Sequence, residues 1–429
     1  MHQDIRQASL IRYAGLALPL AFAGLPIYML APDYYSVHLE LSLSTLGFGL
    51  LALRIADAFL DPLLGRLIDR FIDSARTVSF VASVLLFFGF FMLFCPPTIS
   101  PYFLGGWFFI SVFLVTLGFS ALTILYGAVG AMWSEDTSSQ TRITSYREAL
   151  TLCGLVLSIS VPFLLMEVLP VRLAYSALVG LFSLLLVLSY VRYLPLQSQV
   201  VDARSKGQKN ESERPVDVEP KAPMVFLYVS YAISALASAV PAVLVVFFVR
   251  EYLGSPTFIG TALVIYFLAG AMSMPLWQSA ARRFGKVRAW QVSMILAVLS
   301  FTWVCLLSPG DYLFYSIVCL MSGVALGAEM ALPPAILAEY VDGENTGSAA
   351  QKYSGLTMIS KLSLAVAAGV CLPLLSFFGF QAGGTNDAES LTVLVLLYGA
   401  LPGVLKLLAL GSTQVWIQKE KAIQSNANI

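Results

Sequence analysis

The chain has 429 residues, of which 58% are hydrophobic and only 12% charged, with 25 basic and 25 acidic side chains in balance. A soluble domain carries roughly 25% charged residues and needs a polar surface that this composition cannot supply. That excludes a soluble enzyme or a nucleic-acid binder and leaves a polytopic membrane protein.

Apolar runs fall at 10–32, 44–68, 76–96, 103–133, 145–169 and 171–194, then resume at 223–250, 256–281, 288–308, 312–340, 353–380 and 390–415. A transmembrane barrel strand needs about 10 alternating residues and a spanning helix about 20, so runs of this length predict twelve helices. About 249 apolar residues are what twelve such spans consume. The N-terminal MHQDIRQASLIRYAG lacks a cleavage-like small-residue site, so no removed signal peptide is expected. The segment 195–222 (PLQSQVVDARSKGQKNESERPVDVEPKA) is too polar to form a core and is expected as a flexible cytoplasmic linker. It separates a six-helix half at 1–194 from a second at 223–429.

His2 and His38 are the only histidines and lie in polar segments, which argues against a histidine-based metal, haem or acid–base site. Cys95, Cys153, Cys305, Cys319 and Cys371 are singly spaced at apolar runs and read as small core residues. With the N-terminus inside, about 20 Lys and Arg fall on inside segments against about two outside, which places both termini and the linker in the cytoplasm.

The halves echo one another. DPLLGRLIDR at 61–70 and MPLWQSAARRFGK at 274–286 align Pro62 with Pro275 and Arg70 with Arg283 at a shift of 213. GAMWSEDTSSQT after the fourth run parallels AILAEYVDGENTG after the tenth. Two pseudo-symmetric six-helix halves are what a rocking transporter requires, although a duplicated scaffold with no pathway would look the same.

A charge inside a bilayer costs about 2.5–3.5 kcal/mol on insertion scales, so each one needs a partner or a task. Arg54, Asp57 and Asp61 in the second run, Glu329 in the tenth and Lys361 in the eleventh are such residues. Asp57 and Asp61 are four apart, hence about 6 Å apart on one helical face, with Arg54 a turn earlier. Two carboxylates so placed can ligate a small monovalent cation or share a proton. Arg54 and Lys361 could equally neutralise them in a static charge cluster.

LRIADAFLDPLLGRLIDR at 53–70, YGAVGAMWSEDTSSQTRITSYREAL at 126–150 and LPPAILAEYVDGENTG…SGLTMISKLSLAVAAG at 332–369 resemble motifs of the glycoside–pentoside–hexuronide:cation symporters. That family, which includes melibiose permease, lies within the major facilitator superfamily, and the similarity runs over nearly the whole chain. The resemblance implies a major facilitator fold, cation-site aspartates at Asp57 and Asp61 with a sodium ion or proton there, and Arg147 and Lys361 near the substrate and cation sites.

The departures bear on substrate and ion. Leu60 stands where the family has a coordinating asparagine, which favours protons or a modified sodium site; Ser120 or Thr123 could return a hydroxyl ligand. The acidic residues with which the sugar permeases grip hydroxyls fall at about Ala21 and Thr123 by ungapped alignment, so a melibiose-like sugar is in doubt. At the 206-residue shift that pairs Asp136 with Asp342, Glu329 falls opposite Thr123 and is expected to face the cavity; a structural group hydrogen-bonded between helices is the other reading. Tyr28, Tyr126, Tyr231 and Trp277 are expected near the cavity, where rings suit a sugar face or an acyl chain, or else simply pack.

Asp69, Arg70 and Arg76 after the second run, with Glu135, Asp136, Arg142 and Arg147 after the fourth, are expected to form gating ion pairs between helix ends, with ordinary positive-inside anchoring as the other reading, the one favoured for Arg76. Lys406 is expected to snorkel to the inner interface. The sequence therefore predicts an all-α, monomeric, cation-coupled symporter of a small organic solute, multi-pass in the cell (inner) membrane, glycoside-like by resemblance. A lipid or amphiphile carrier and a proton-antiport exporter are the alternatives. No cofactor, no nucleic acid, no ATP and no enzymatic chemistry are expected, since neither a P-loop nor an intramembrane nucleophile–base pair is present.

Overall fold

The computed structural model describes residues 7–31, 34–35, 39, 41, 43–97, 101–134, 136–211, 224–341, 349–381 and 386–427. They are helical almost throughout, because hydrocarbon leaves an N–H or C=O no partner except its own helix. Ten helices among the described residues are long and apolar enough to cross a membrane. The other two expected spans are also helical. The first runs through Gln7–Ala14 and Ala17–Leu25 into a π turn at Pro26–Leu30. The second is Leu43–Arg70, which carries the charged residues that set it apart in composition.

Contacts divide the chain into two compact units, residues 1–215 with 344–357 and residues 216–343 with 358–429. In the first unit, Ala75–Phe94 packs along Pro101–Met132, Ala17–Leu25 lies on Thr137–Val168, and Leu43–Arg70 lies on Pro101–Met132. In the second, Tyr312–Val341 packs against both Phe258–Phe284 and Lys286–Val304, and Val225–Phe247 packs on Leu401–Ala427. The helix Ala349–Phe377 begins within the first unit and continues in the second.

Without a hydrophobic drive between helices in lipid, association rests on close backbone approach at small residues. A Cβ on Gly118 would overlap the backbone of Leu86 and Ala82, and one on Gly89 would overlap the backbone of Val115. In the second unit Gly323 sits likewise against Tyr266, and Gly327 against Ser273 and Gly270. Gly118→Leu is therefore expected to destabilise the first unit by about 3 kcal/mol or more, since backbone cannot yield as a side chain can. Thermal unfolding followed by fluorescence-detected size exclusion checks it; an unchanged midpoint would deny the close crossing.

Polar side chains within the spans are mostly satisfied locally. Ser83 donates to Ser79 O at 2.8 Å, Ser111 to Trp107 O at 2.7 Å and Thr116 to Val112 O at 2.8 Å. Large apolar side chains face outward instead: Phe59, Leu63 and Leu67 are exposed on one side of helix 43–70, whereas Asp57 and Asp61 are buried on another. That is the inverse of a soluble amphipathic helix.

Part of the segment expected as a flexible linker is helical. Helix Val171–Glu211 runs through Pro195 to its end, and Leu196, Gln197, Ser198, Val200 and Val201 are buried. Gln197 explains the extension. Its Nε2 donates to Ala75 O at 2.9 Å and its Oε1 accepts from Ser79 Oγ at 3.0 Å, so a residue read as solvent-seeking is internal. Residues 212–223 lie outside the described residues.

Candidate functional site

Helix 43–70 presents Asp57 and Asp61 on one buried face, as four-residue spacing dictates. Asp57 is 7% exposed and Asp61 fully buried. Ser120, from helix 101–132, donates its hydroxyl to Asp57 Oδ1 at 3.0 Å. Thr123 lies a turn further along that helix, and its buried Oγ1 has no hydrogen-bond partner among the described residues. Two carboxylates and two hydroxyls, all hard oxygens, are thus held on two packed helices of the first unit. Such a donor set suits a monovalent cation or a proton. Among the described residues no cluster of three or more His, Cys, Asp or Glu side chains offers a metal site. The side chain of Arg54 lies outside the described residues, and half-buried Lys361 belongs to the second unit.

Arg147 on helix 137–168 is buried, and its Nε and Nη2 both lie 2.7 Å from Glu148 Oε1. Its guanidinium sits 6.0 Å from the Tyr126 ring centroid. Tyr126 and Tyr13 exchange hydrogen bonds, each hydroxyl donating to the other's backbone carbonyl at 2.9 and 2.8 Å, with rings 4.4 Å apart. Tyr126, expected beside a substrate, is thus engaged in joining helix 7–14 to helix 101–132. Glu148 is the residue that sequence reasoning passed over. The signal was an acid and a base side by side in a span that could afford neither alone.

Tyr28 lies in the π turn at 26–30, with its side chain outside the described residues. Tyr231 shares a 2.6 Å hydroxyl–hydroxyl hydrogen bond with Ser360. Trp277 is buried and donates Nε1 to Val324 O at 2.7 Å, which makes it a packing residue.

The structure corrects one expectation outright. Lys406 does not snorkel: it is 1% exposed, and its Nζ is 3.0 Å from Glu329 Oε1. Ser234 Oγ donates to Glu329 Oε2 at 2.6 Å and accepts from Lys406 Nζ at 2.8 Å. A carboxylate buried among helices gave the ammonium a nearer partner than the interface. Glu329, expected to face a substrate, is committed to Lys406 and Ser234 within the second unit.

Two of the residues expected to gate bond backbone at helix starts. Asp69, just past the apolar run, accepts from Ala350 N at 2.9 Å and Gln351 N at 2.8 Å, so it caps helix 349–377 where that helix belongs to the first unit. Beneath it, a Cβ on Gly65 would strike Ser354 and Ala350. Asp136 caps helix 137–168 by accepting from Ser139 N at 2.8 Å. The Arg70 guanidinium lies 5.9 Å from the ring of Phe71, and Arg142 is half-buried. Glu135 and Asp342 lie outside the described residues.

Burial outweighs the two N–H donors and nearby Lys352 at Asp69, pushing its carboxyl up from 3.8 to about 6. A carboxyl raised on folding binds its proton more tightly in the folded state. Its stabilisation is complete below the ordinary value and is lost as pH rises through about 6. The thermal midpoint of the native protein minus that of Asp69→Asn should therefore grow as pH falls from 7 to 4. A constant difference would mean that Asp69 stays solvated.

The profile of the family described as MFS/sugar transport protein matches residues 11–414. The sodium-dependent lysophosphatidylcholine symporter 1-A of Danio rerio is 28% identical over 250 residues, 56% of this chain and 46% of that protein. The sphingosine-1-phosphate transporter MFSD2B of Mus musculus is 28% identical over 195 residues, 44% of this chain and 39% of that protein. This chain thus spans less than half the length of these two relatives. A bacterial homologue of the iron transporter ferroportin, in its outward-facing state, superposes with a TM-score of 0.68 at 18% identity, covering 96% of this chain and 99% of that one.

Proposed function

We propose, since the chain belongs to the MFS/sugar transport protein family and is a multi-pass membrane transporter rather than an enzyme, that it is a sodium-coupled symporter of a phosphate-bearing, single-chain amphiphile. The observation that carries the coupling is the buried Asp57–Asp61 face with Ser120 hydrogen-bonded to Asp57. Ser120 and Thr123 offer neutral oxygens in place of the one lost at Leu60, so a sodium ion finds hard ligands there. Kinship with the glycoside–pentoside–hexuronide:cation symporters then lies in the coupling machinery.

The substrate class rests on packing as well as on relatives. Ala21, where a sugar permease carries an acid, is buried against helix 137–168, and a Cβ on Gly154 would lie 2.9 Å from the Ala21 Cβ. A carboxylate at residue 21 would part the two helices. The relatives transport a lysophospholipid and a phosphorylated sphingoid base by name. From the lysine and arginine asymmetry we place both termini in the cytoplasm.

Uptake into liposomes of purified protein tests the proposal. Labelled lysophosphatidylcholine should accumulate with an inward sodium gradient and not without one. Accumulation of melibiose instead would overturn the substrate class. Uptake that follows a pH gradient and ignores sodium would transfer coupling to protons.

A further inference from the structure

The surroundings of Lys406 resemble a cation site more than a salt bridge. Four oxygens lie around its Nζ: Glu329 Oε1 at 3.0 Å, Ser234 Oγ at 2.8 Å, Ser238 Oγ at 3.0 Å and the Ser234 carbonyl at 3.2 Å. An ammonium has three N–H donors and no acceptor, so a shell of oxygens alone satisfies it as it satisfies an alkali cation. The proton ledger is consistent. Ser234 spends its one hydrogen on Glu329 Oε2, which leaves its lone pairs for Lys406. Two helices supply the shell, 225–247 and 312–341, and a third, 401–427, supplies the ammonium, all within the second unit.

We propose that Ser234, Ser238 and Glu329 form a monovalent-cation cage which the chain fills with its own Lys406 ammonium. The second unit then carries a fixed internal cation and has no vacancy there for an exchangeable one, whatever ion drives transport. A tethered cation neutralises Glu329 permanently, whereas a dissolved one would leave it bare for part of any cycle. The proposal stands apart from the coupling at Asp57 and Asp61, and its readout is stability, not transport.

Lys406→Ala removes the equivalent of one n-propylammonium and should lower the thermal midpoint of the purified full chain by about 5–10 °C. Added n-propylammonium chloride should restore at least half of that loss in a saturable way, because the excised fragment refills the cage. Tetramethylammonium chloride has the same charge but no N–H donor, and it should restore nothing. The native protein should respond to neither salt, and the double variant Lys406→Ala with Glu329→Gln should lose the n-propylammonium response. Should Lys406→Ala not fold when made alone, n-propylammonium in the growth medium should recover folded, monodisperse protein. Absence of rescue, equal rescue by tetramethylammonium, or rescue that survives Glu329→Gln would each overturn the proposal.

Discussion

Asp61→Asn should abolish gradient-driven accumulation of solute while leaving the protein folded and inserted. The side chain is fully buried, and the amide keeps its size but cannot carry the negative charge that draws a cation in. Each charge moved across 100 mV is worth about 2.3 kcal/mol, enough for roughly fiftyfold accumulation per cation. Without the charge the solute should only equilibrate, so the concentration ratio should fall to about one. Cation and solute affinities are linked and must change together, so the variant should also lose sodium-enhanced binding of solute. Measurement of steady-state accumulation beside equilibrium exchange in the same vesicles separates loss of coupling from loss of the pathway. Full accumulation by the variant would remove Asp61 from the ion site.

The sequence makes this pair legible because the cost of a charge in hydrocarbon is large and local. The span and the four-residue spacing alone place Asp57 and Asp61 on one face. The helices were legible for the same reason, as apolar runs too long for barrel strands. Lys406 and Glu329 were not, since 77 residues separate them and only the fold brings Nζ within 3.0 Å of the carboxylate. The lysine's position near a span's end favoured snorkelling, a local argument that a distant partner overrides. Likewise Gln197 reads as linker until Ala75 O and Ser79 Oγ are seen to bond it. Asp69 was expected in an ion pair, but the start of helix 349–377 supplied two unpaired backbone N–H groups, which a carboxylate serves well.

The same reasoning gives Glu148→Gln an effect out of proportion to the change of one atom. Arg147 is buried and points two nitrogens at a single oxygen of Glu148, 2.7 Å from each. Neutralising that oxygen leaves a guanidinium in a low-dielectric interior, which costs about 3–5 kcal/mol when a buried pair is broken from one side. The Tyr126 ring 6.0 Å away cannot offset this, because a cation–π contact is worth about 0.5–2 kcal/mol. Glu148→Gln should therefore lower the thermal midpoint more than the double variant Arg147→Gln with Glu148→Gln, which leaves no bare charge. The double variant also separates the two roles that meet at Arg147. If the arginine only completes a buried pair, the double variant should bind solute as the native protein does. If it also holds the anionic head of an amphiphile, the double variant should fold yet lose affinity at least tenfold, about 1.4 kcal/mol. Equal midpoints for the single and double variants would mean that the pair is solvated and that neither argument holds.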